Sequence, residues 1–438
     1  MAPASFETSV SEHRLSSMVP AKVTGGNKDL ELTNMDLAMK LHYIKAVYFF
    51  QPQAAQGLSF DPDLKGPMFQ CLEHYFTVSG RIRRSETGRP FIKCNDGGIR
   101  AVEARCNQTV DEWLATARDN GHSLDHILAY DQVLGPDLGY SPLVFVQFTW
   151  FKCGGISVGL SWAHVLGDAF SASDFLNSWG QIVAGKQIPA KLNNPTLKSE
   201  FPTLVSRKPF SLKKVDPVGD RWFTANDCKM VTHSFHITGK QLHHIMTTGS
   251  VHDPSKADMV SDFEIVSAII WQSLSKVRND SGPRTVTICS NNPLVRDDET
   301  ATLPVNGMIL STVEADFSVS KVEIVELAKL IAGKQMPENG LIEDFLSGNE
   351  EKSDFIVYGA NLTFVNMEGA NLYGLELKGL KPLFVNYMIN GVGDEGTFLI
   401  FPSNEKDGGN GKIVTMTLPE DQIEKLKNIL GNYWNIAN

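Results

Sequence analysis

The sequence predicts a mixed α/β protein made of two domains with a cleft between them. Three observations carry that expectation. At 438 residues the chain exceeds what one ordinary hydrophobic core organises. Runs of strand character alternate with runs of helical periodicity in both halves. Between the halves, residues 185–219 are rich in Pro, Lys, Ser and Asn and hold no sustained periodicity, as a crossover linker would. The expected units are therefore a first domain, 1–184, the linker, 185–219, and a second domain, 220–438.

In the first domain an extended segment, Leu15 to Val23, precedes a run dense in Ile, Val, Tyr and Phe from His42 to Phe50. Phe69 to Val78 and Val110 to Arg118 carry apolar residues on one side and read as helices. Leu143 to Trp150 and Ile156 to Trp162 flank Cys153-Gly154-Gly155 and partly alternate in polarity, which predicts a hairpin. A helix from about Ala169 to Ile182 follows and stops at Gly185. The second domain opens with a strand, Met230 to Ile237, then helices at Gly239 to Met246 and Ser261 to Lys276. It closes with a strand, Ile413 to Leu418, and a helix with Pro419 in its first turn, where no N–H is needed. Gly391 to Gly396 has the G-x-G-x-x-G spacing of a dinucleotide loop, but a strand follows it instead of a helix. A glycine-bearing hairpin loop is the expectation there.

Lys and Arg number 40 against 50 Asp and Glu, a net charge of −10, and no stripe of Lys and Arg runs along the chain. Nucleic acid, whose binding rests on neutralising phosphates, is therefore not the expected partner. A local basic mouth for a phosphate-bearing ligand remains compatible with this charge. The six cysteines (Cys71, Cys94, Cys106, Cys153, Cys228, Cys289) form no C-x-x-C pair and read as reduced, mostly packed thiols, with no metal site. Met1 to Val19 lacks the apolar core of a signal peptide. The longest apolar stretch, Leu143 to Phe151, is about half the roughly 20 residues a membrane helix requires, so no transmembrane segment is expected. A chain facing the cytosol is the expectation.

The chemistry is concentrated in Ser161-Trp162-Ala163-His164-Val165-Leu166-Gly167-Asp168. This stretch ends an apolar strand just before a helix, and Gly167 favours a tight turn over a helix interior. A histidine there suits proton abstraction from a hydroxyl or amine. Asp168 is placed to orient it or to brace the turn through an Arg. The residues by themselves also suit a buried histidine satisfied by backbone groups and a helix-capping aspartate.

This H-x-x-x-D element resembles the catalytic motif of the BAHD acyltransferases. Leu32 to Asp36, Val47 to Phe50, Val78 to Ile82, Cys94 to Gly98 and Ala268 to Trp271 also look like that family. The resemblance implies two similar mixed-sheet domains of the coenzyme A-dependent acyltransferase fold, with a channel at their interface lined by His164. It implies His164 as general base on the acceptor and Asp168 as a mainly structural residue. The family's second signature, D-F-G-W-G-K-P, is degenerate in this chain: Glu376, Leu377, Lys378, Gly379 and Leu380 precede the surviving Lys381-Pro382. Gly379 and Lys381 are what remains of a cofactor-binding loop. The arginine that answers the motif aspartate has no clean counterpart near Cys289 to Pro293, where Arg296 is the nearest.

The departures resemble the eceriferum-type branch of that family, as do Asp36 to Tyr43, Leu134 to Leu138, Lys152 to Gly155, Tyr358 to Asn366 and Phe384 to Tyr387. That branch implies an accessory role beside a membrane-bound condensing enzyme, a 3-ketoacyl-CoA synthase, extending very-long-chain acyl groups for cuticular wax. It also implies residence at the cytosolic face of the endoplasmic reticulum through that partner, with acyl-CoA as a ligand and no tightly bound cofactor. Two alternatives stand beside it: acyl-CoA-dependent O- or N-transfer with His164 as base, and a scaffold that binds no acyl ligand.

Overall fold

In the computed structural model, residues 9–436 are described, apart from 26–27, 120–124, 133–138, 189–207, 217–227, 249–259, 281, 294–302, 348–352 and 405–409. The aromatic and β-branched run Tyr43–Phe50 is buried at every position, and it forms an inner strand of the first sheet. That sheet runs Val10–Met18, Ile99–Cys106, Val144–Phe151, Ile156–Ala163, Tyr43–Phe50 and Phe384–Asn390 across its width. Only the pairing of Ile99–Cys106 with Val144–Phe151 is parallel.

The expected hairpin is present: Val144–Phe151 and Ile156–Ala163 pair antiparallel across the Cys153-Gly154-Gly155 turn. Gly155 is needed there, since a Cβ would come within 2.8 Å of the Phe50 carbonyl oxygen. The helix Ala169–Val183 then packs Phe170, Phe175, Leu176 and Trp179 into the core beneath the sheet.

A seven-stranded mixed sheet organises the second half: Met230–Ile237, Lys412–Pro419, Thr397–Pro402, Leu362–Asn366, Thr285–Ser290, Ile309–Glu314 and Met336–Pro337. The helix Asp262–Val277 covers it with Phe263, Val266, Ile269, Ile270 and Leu274. Its N-terminus is closed by a capping box between Ser261 and Glu264.

The two sheets do not follow the sequence halves at one place. Phe384–Asn390, from the second half, pairs antiparallel with Tyr43–Phe50 and completes the first sheet. The Gly391–Gly396 loop is therefore not a hairpin. It carries the chain from the first sheet to Thr397–Pro402 in the second. Gly391 sits close against the Leu41 carbonyl and Gly393 against the Gly359 carbonyl, so these glycines serve backbone crossing.

Most of the expected linker lies outside the described residues. Its described part runs along the second half: Ser211 donates its backbone and hydroxyl hydrogens to Glu338, both at 2.8 Å, and Lys213–Val215 pairs with Asp354–Ile356. Among the described residues no helix is long and apolar enough to cross a membrane. One apolar core spans both halves, joining Ile44, Leu160 and Phe175 to Met308, Leu310, Val357 and Phe401. The candidate site lies inside it.

Candidate functional site

The strand Ile156–Ala163 delivers His164 to the boundary between the two halves, where a short 3-10 turn, His164–Leu166, redirects the chain. Gly167 permits the turn, because a Cβ there would approach the Val305 nitrogen to 2.7 Å. Trp162 locks it by donating its indole N–H to the Gly167 carbonyl at 2.9 Å.

Asp168 caps the helix Ala169–Val183. One carboxylate oxygen accepts from the amides of Phe170 at 3.1 Å and Ser171 at 3.2 Å, satisfying N–H groups that would otherwise lack partners. The other oxygen accepts from the Gly307 amide at 2.9 Å. Asp168 thus pins the start of this helix to a segment of the second half. Of the roles open from the sequence it takes the capping one, and it braces the turn through a backbone amide. Arg296 falls outside the described residues.

The group that orients His164 is Asn306. Its amide nitrogen donates to Asp36 at 2.8 Å and to the His164 carbonyl at 2.9 Å, which fixes its oxygen toward the ring. That oxygen, 2.9 Å from Nδ1 of His164, can only accept, so Nδ1 carries the proton and Nε2 holds the lone pair. This is the tautomer a general base needs. Nε2 does not meet open space, however. It accepts from the Tyr358 hydroxyl at 2.8 Å.

Both partners are sealed. His164 is 1% exposed and Tyr358 2%. Met35, Met39, Met308 and Leu310 border the pair. Burial pushes the His164 imidazolium below its ordinary range and the Tyr358 phenol well above its own. Behind them His42 is fully enclosed. Its Nε2 accepts from the Val357 amide at 3.0 Å, and burial, with the charge of His164 next, holds it down to about 3. Its ring meets Tyr358 edge-on, with centroids 5.0 Å apart. Among the described residues, the Tyr358 phenol and the side chains of Met35, Met39 and Met308 border His164 at the interface where a channel is expected.

The remnant loop lies elsewhere. Lys378 and Gly379, at φ +52° and +73°, form a tight turn between Leu377 and Leu380, which exchange backbone hydrogen bonds at 3.0 and 3.1 Å. Lys378 donates to the Gln56 carbonyl, and Gly379 and Lys381 are exposed. Neither Gly379 nor Lys381 lines the gap at His164. Asn306 escaped the sequence reading altogether. Tyr358 and Asp36 were singled out only as parts of segments with a family likeness, not for a role.

Comparison with known proteins bears on the family and the fold. A family model described as "Transferase family" matches residues 9–333. Protein ECERIFERUM 2 of Arabidopsis thaliana is 42% identical over 440 residues, covering 97% of this chain and 98% of that one. The structure of vinorine synthase superposes with a TM-score of 0.68 at 18% identity, covering 95% of this chain and 96% of that one. F. sporotrichioides TRI101, solved with coenzyme A and T-2, gives 0.67 at 15% identity, covering 94% and 100%. The low identity of the last two makes them evidence of fold alone.

Proposed function

The chain belongs to the Transferase family, the BAHD acyltransferases, within its eceriferum-type branch, and from that membership we propose an accessory role in very-long-chain acyl elongation for cuticular wax. In this reading the protein acts beside a membrane-bound 3-ketoacyl-CoA synthase at the cytosolic face of the endoplasmic reticulum. It extends the acyl lengths that enzyme handles. Acyl-CoA is the ligand class, by analogy with the coenzyme A complex of the TRI101 relative in fold.

The single observation that carries the accessory reading over transfer is the closed pair of His164 and Tyr358. A base whose lone pair accepts from an internal phenol must give up that bond before it can deprotonate an acceptor. A partner shifts product length by favouring the synthase's long-chain transition state or competent conformation. About 1.4 kcal/mol of such preference changes a product ratio tenfold. Co-expression with plant condensing enzymes in a host that makes shorter acids tests this. Longer acids should appear only when both proteins are present. An unchanged acyl profile with several synthases, and no association with any of them, would sink the proposal.

One observation favours the second reading, acyl-CoA-dependent O- or N-transfer. Asn306 holds His164 in the tautomer that places a lone pair on Nε2. Esters or amides made by this chain alone, with a supplied acceptor, would establish that reading.

A further inference from the structure

Apart from the residues that border His164, the described residues bring three arginines together without a carboxylate partner. Arg81 and Arg83 alternate along the strand Arg81–Arg84 and so project from one face of a small three-stranded sheet. The Arg81 guanidinium is held by carbonyls alone, Gly80 at 2.7 Å, Gly97 at 2.8 Å and Gly98 at 2.9 Å. Arg83, which is exposed, donates to the carbonyls of Ile82 at 2.8 Å and Gly139. Arg100, next in the chain but one to Gly98, reaches the Ser17 hydroxyl.

These bonds position three positive charges and neutralise none. Burial holds the Arg81 guanidinium down to about 10, and the charges of Arg100 and Arg83 push it the same way. The nearby acids are engaged elsewhere. Asp96 accepts from the Thr24 amide at 2.9 Å and hydroxyl at 2.5 Å, and Asp29 pairs with Lys93 at 2.9 Å.

Exposed apolar groups border the cluster. Leu15 lies two residues before Ser17 on the same face of the edge strand, and Val19 would touch a Cβ at Gly98. Tyr140 follows Gly139, and Val23 precedes Thr24. These four are half of the eight large hydrophobic side chains exposed among the described residues, with Tyr140 at 81% and Val23 at 87%. Exposed apolar surface therefore gathers where the uncompensated cations are, which is the reverse of a solvated charged face.

We propose that Arg83 and Arg100, backed by the buried charge of Arg81 and bordered by Leu15, Val19 and Tyr140, form a contact for the phosphate groups of an anionic phospholipid surface. Guanidinium forks match phosphate oxygens, and aliphatic and aromatic tips settle at headgroup depth. The rest of a chain of net charge −10 is repelled by such a surface, so this patch sets the orientation of approach. The contact is independent of the chemistry at His164.

Co-sedimentation of the full chain with vesicles tests it. Binding is expected to phosphatidylcholine vesicles containing phosphatidylserine, weakening with salt, and not to phosphatidylcholine alone. Arg83→Ser with Arg100→Ser should weaken it roughly 25-fold, about fivefold per cation removed. Arg83→Glu alone, at an exposed side chain that leaves folding intact, should weaken it at least as much as Arg83→Ser alone, and Tyr140→Ser should weaken it further. Equal binding to neutral vesicles, or undiminished binding by the Arg83→Glu and double variants, would overturn the proposal. Displacement from the vesicles by glycerol 3-phosphate or inorganic phosphate, at concentrations where sodium chloride of equal ionic strength leaves binding intact, would also overturn it, by assigning the arginines to a soluble phosphate ester.

Discussion

The Tyr358 hydroxyl stands 2.8 Å from Nε2 of His164, in the position an acceptor hydroxyl must take for the histidine to remove its proton. The proton does not move, because burial raises the phenol and lowers the imidazole, and both shifts keep it on Tyr358. The pair is therefore neutral and hydrogen-bonded. An intact H-x-x-x-D element coexists with a base whose lone pair is engaged by an internal phenol.

His164→Ala follows directly. It strips partners from the Tyr358 hydroxyl and the Asn306 amide oxygen and leaves a cavity, at a cost of about 2–4 kcal/mol. Thermal denaturation should show that loss. Product chain length in the co-expression assay should stay the same wherever the variant remains folded. Disappearance of the longest products from folded protein would instead make His164 a working base.

Asp168→Ala should destabilise more, by about 3–5 kcal/mol, since three buried amides lose one carboxylate. Asp168→Asn should cost less, because an amide oxygen still caps the helix while Gly307 loses its acceptor. Denaturant midpoints give both values. A midpoint unmoved in Asp168→Ala would show that the link between helix and second half carries no stability.

The local parts of this site were legible in the sequence and the long-range ones were not. Strand, turn, Gly167 and helix follow from short-range pattern, and Gly167 marked the turn because a side chain there collides with Val305. Asn306 and Tyr358 lie 142 and 194 residues from His164, and no periodicity or spacing connects residues so distant. The Gly391–Gly396 loop shows the same limit. Its glycines announced a turn, but a turn does not reveal which sheet each flanking strand joins, and Phe384–Asn390 joins the other one.

Acid should destabilise the fold through His42 and His164. Each has a folded pKa below its unfolded value, so the unfolded chain binds more protons and stability falls as pH drops below about 6.5. For His42 the loss continues toward about 3, at roughly 1.4 kcal/mol per pH unit. Asp36 and Glu343, raised by burial, work in the opposite direction and offset part of it at the acid end. Urea midpoints between pH 7 and pH 5, about the window these shifts define, should fall less steeply in His42→Gln. Parallel slopes in wild type and variant would remove His42 from this account.

Tyr358 offers the sharpest separation of roles, because its ring and its hydroxyl can be removed one at a time. Tyr358→Phe deletes the hydroxyl, leaving Nε2 buried without a donor at about 1–3 kcal/mol, but the ring still fills the space. No turnover is expected from it. Tyr358→Ala also deletes the ring, costs about 3–5 kcal/mol, and opens a space beside a lone pair that Asn306 still aims. Water or a small alcohol then reaches Nε2, and His164 should return toward its ordinary pKa as its surroundings hydrate. Release of free coenzyme A thiol from a long-chain acyl-CoA should rise by about 10²–10⁴ over the Phe variant, and a second change, His164→Ala, should abolish the gain. If folded Tyr358→Ala releases no thiol above background, the phenol is not what withholds transfer. The degenerate turn at Lys378 and Gly379 then becomes the limiting feature, and restoring the family residues from Glu376 to Leu380 in the Ala variant is the measurement that separates the two.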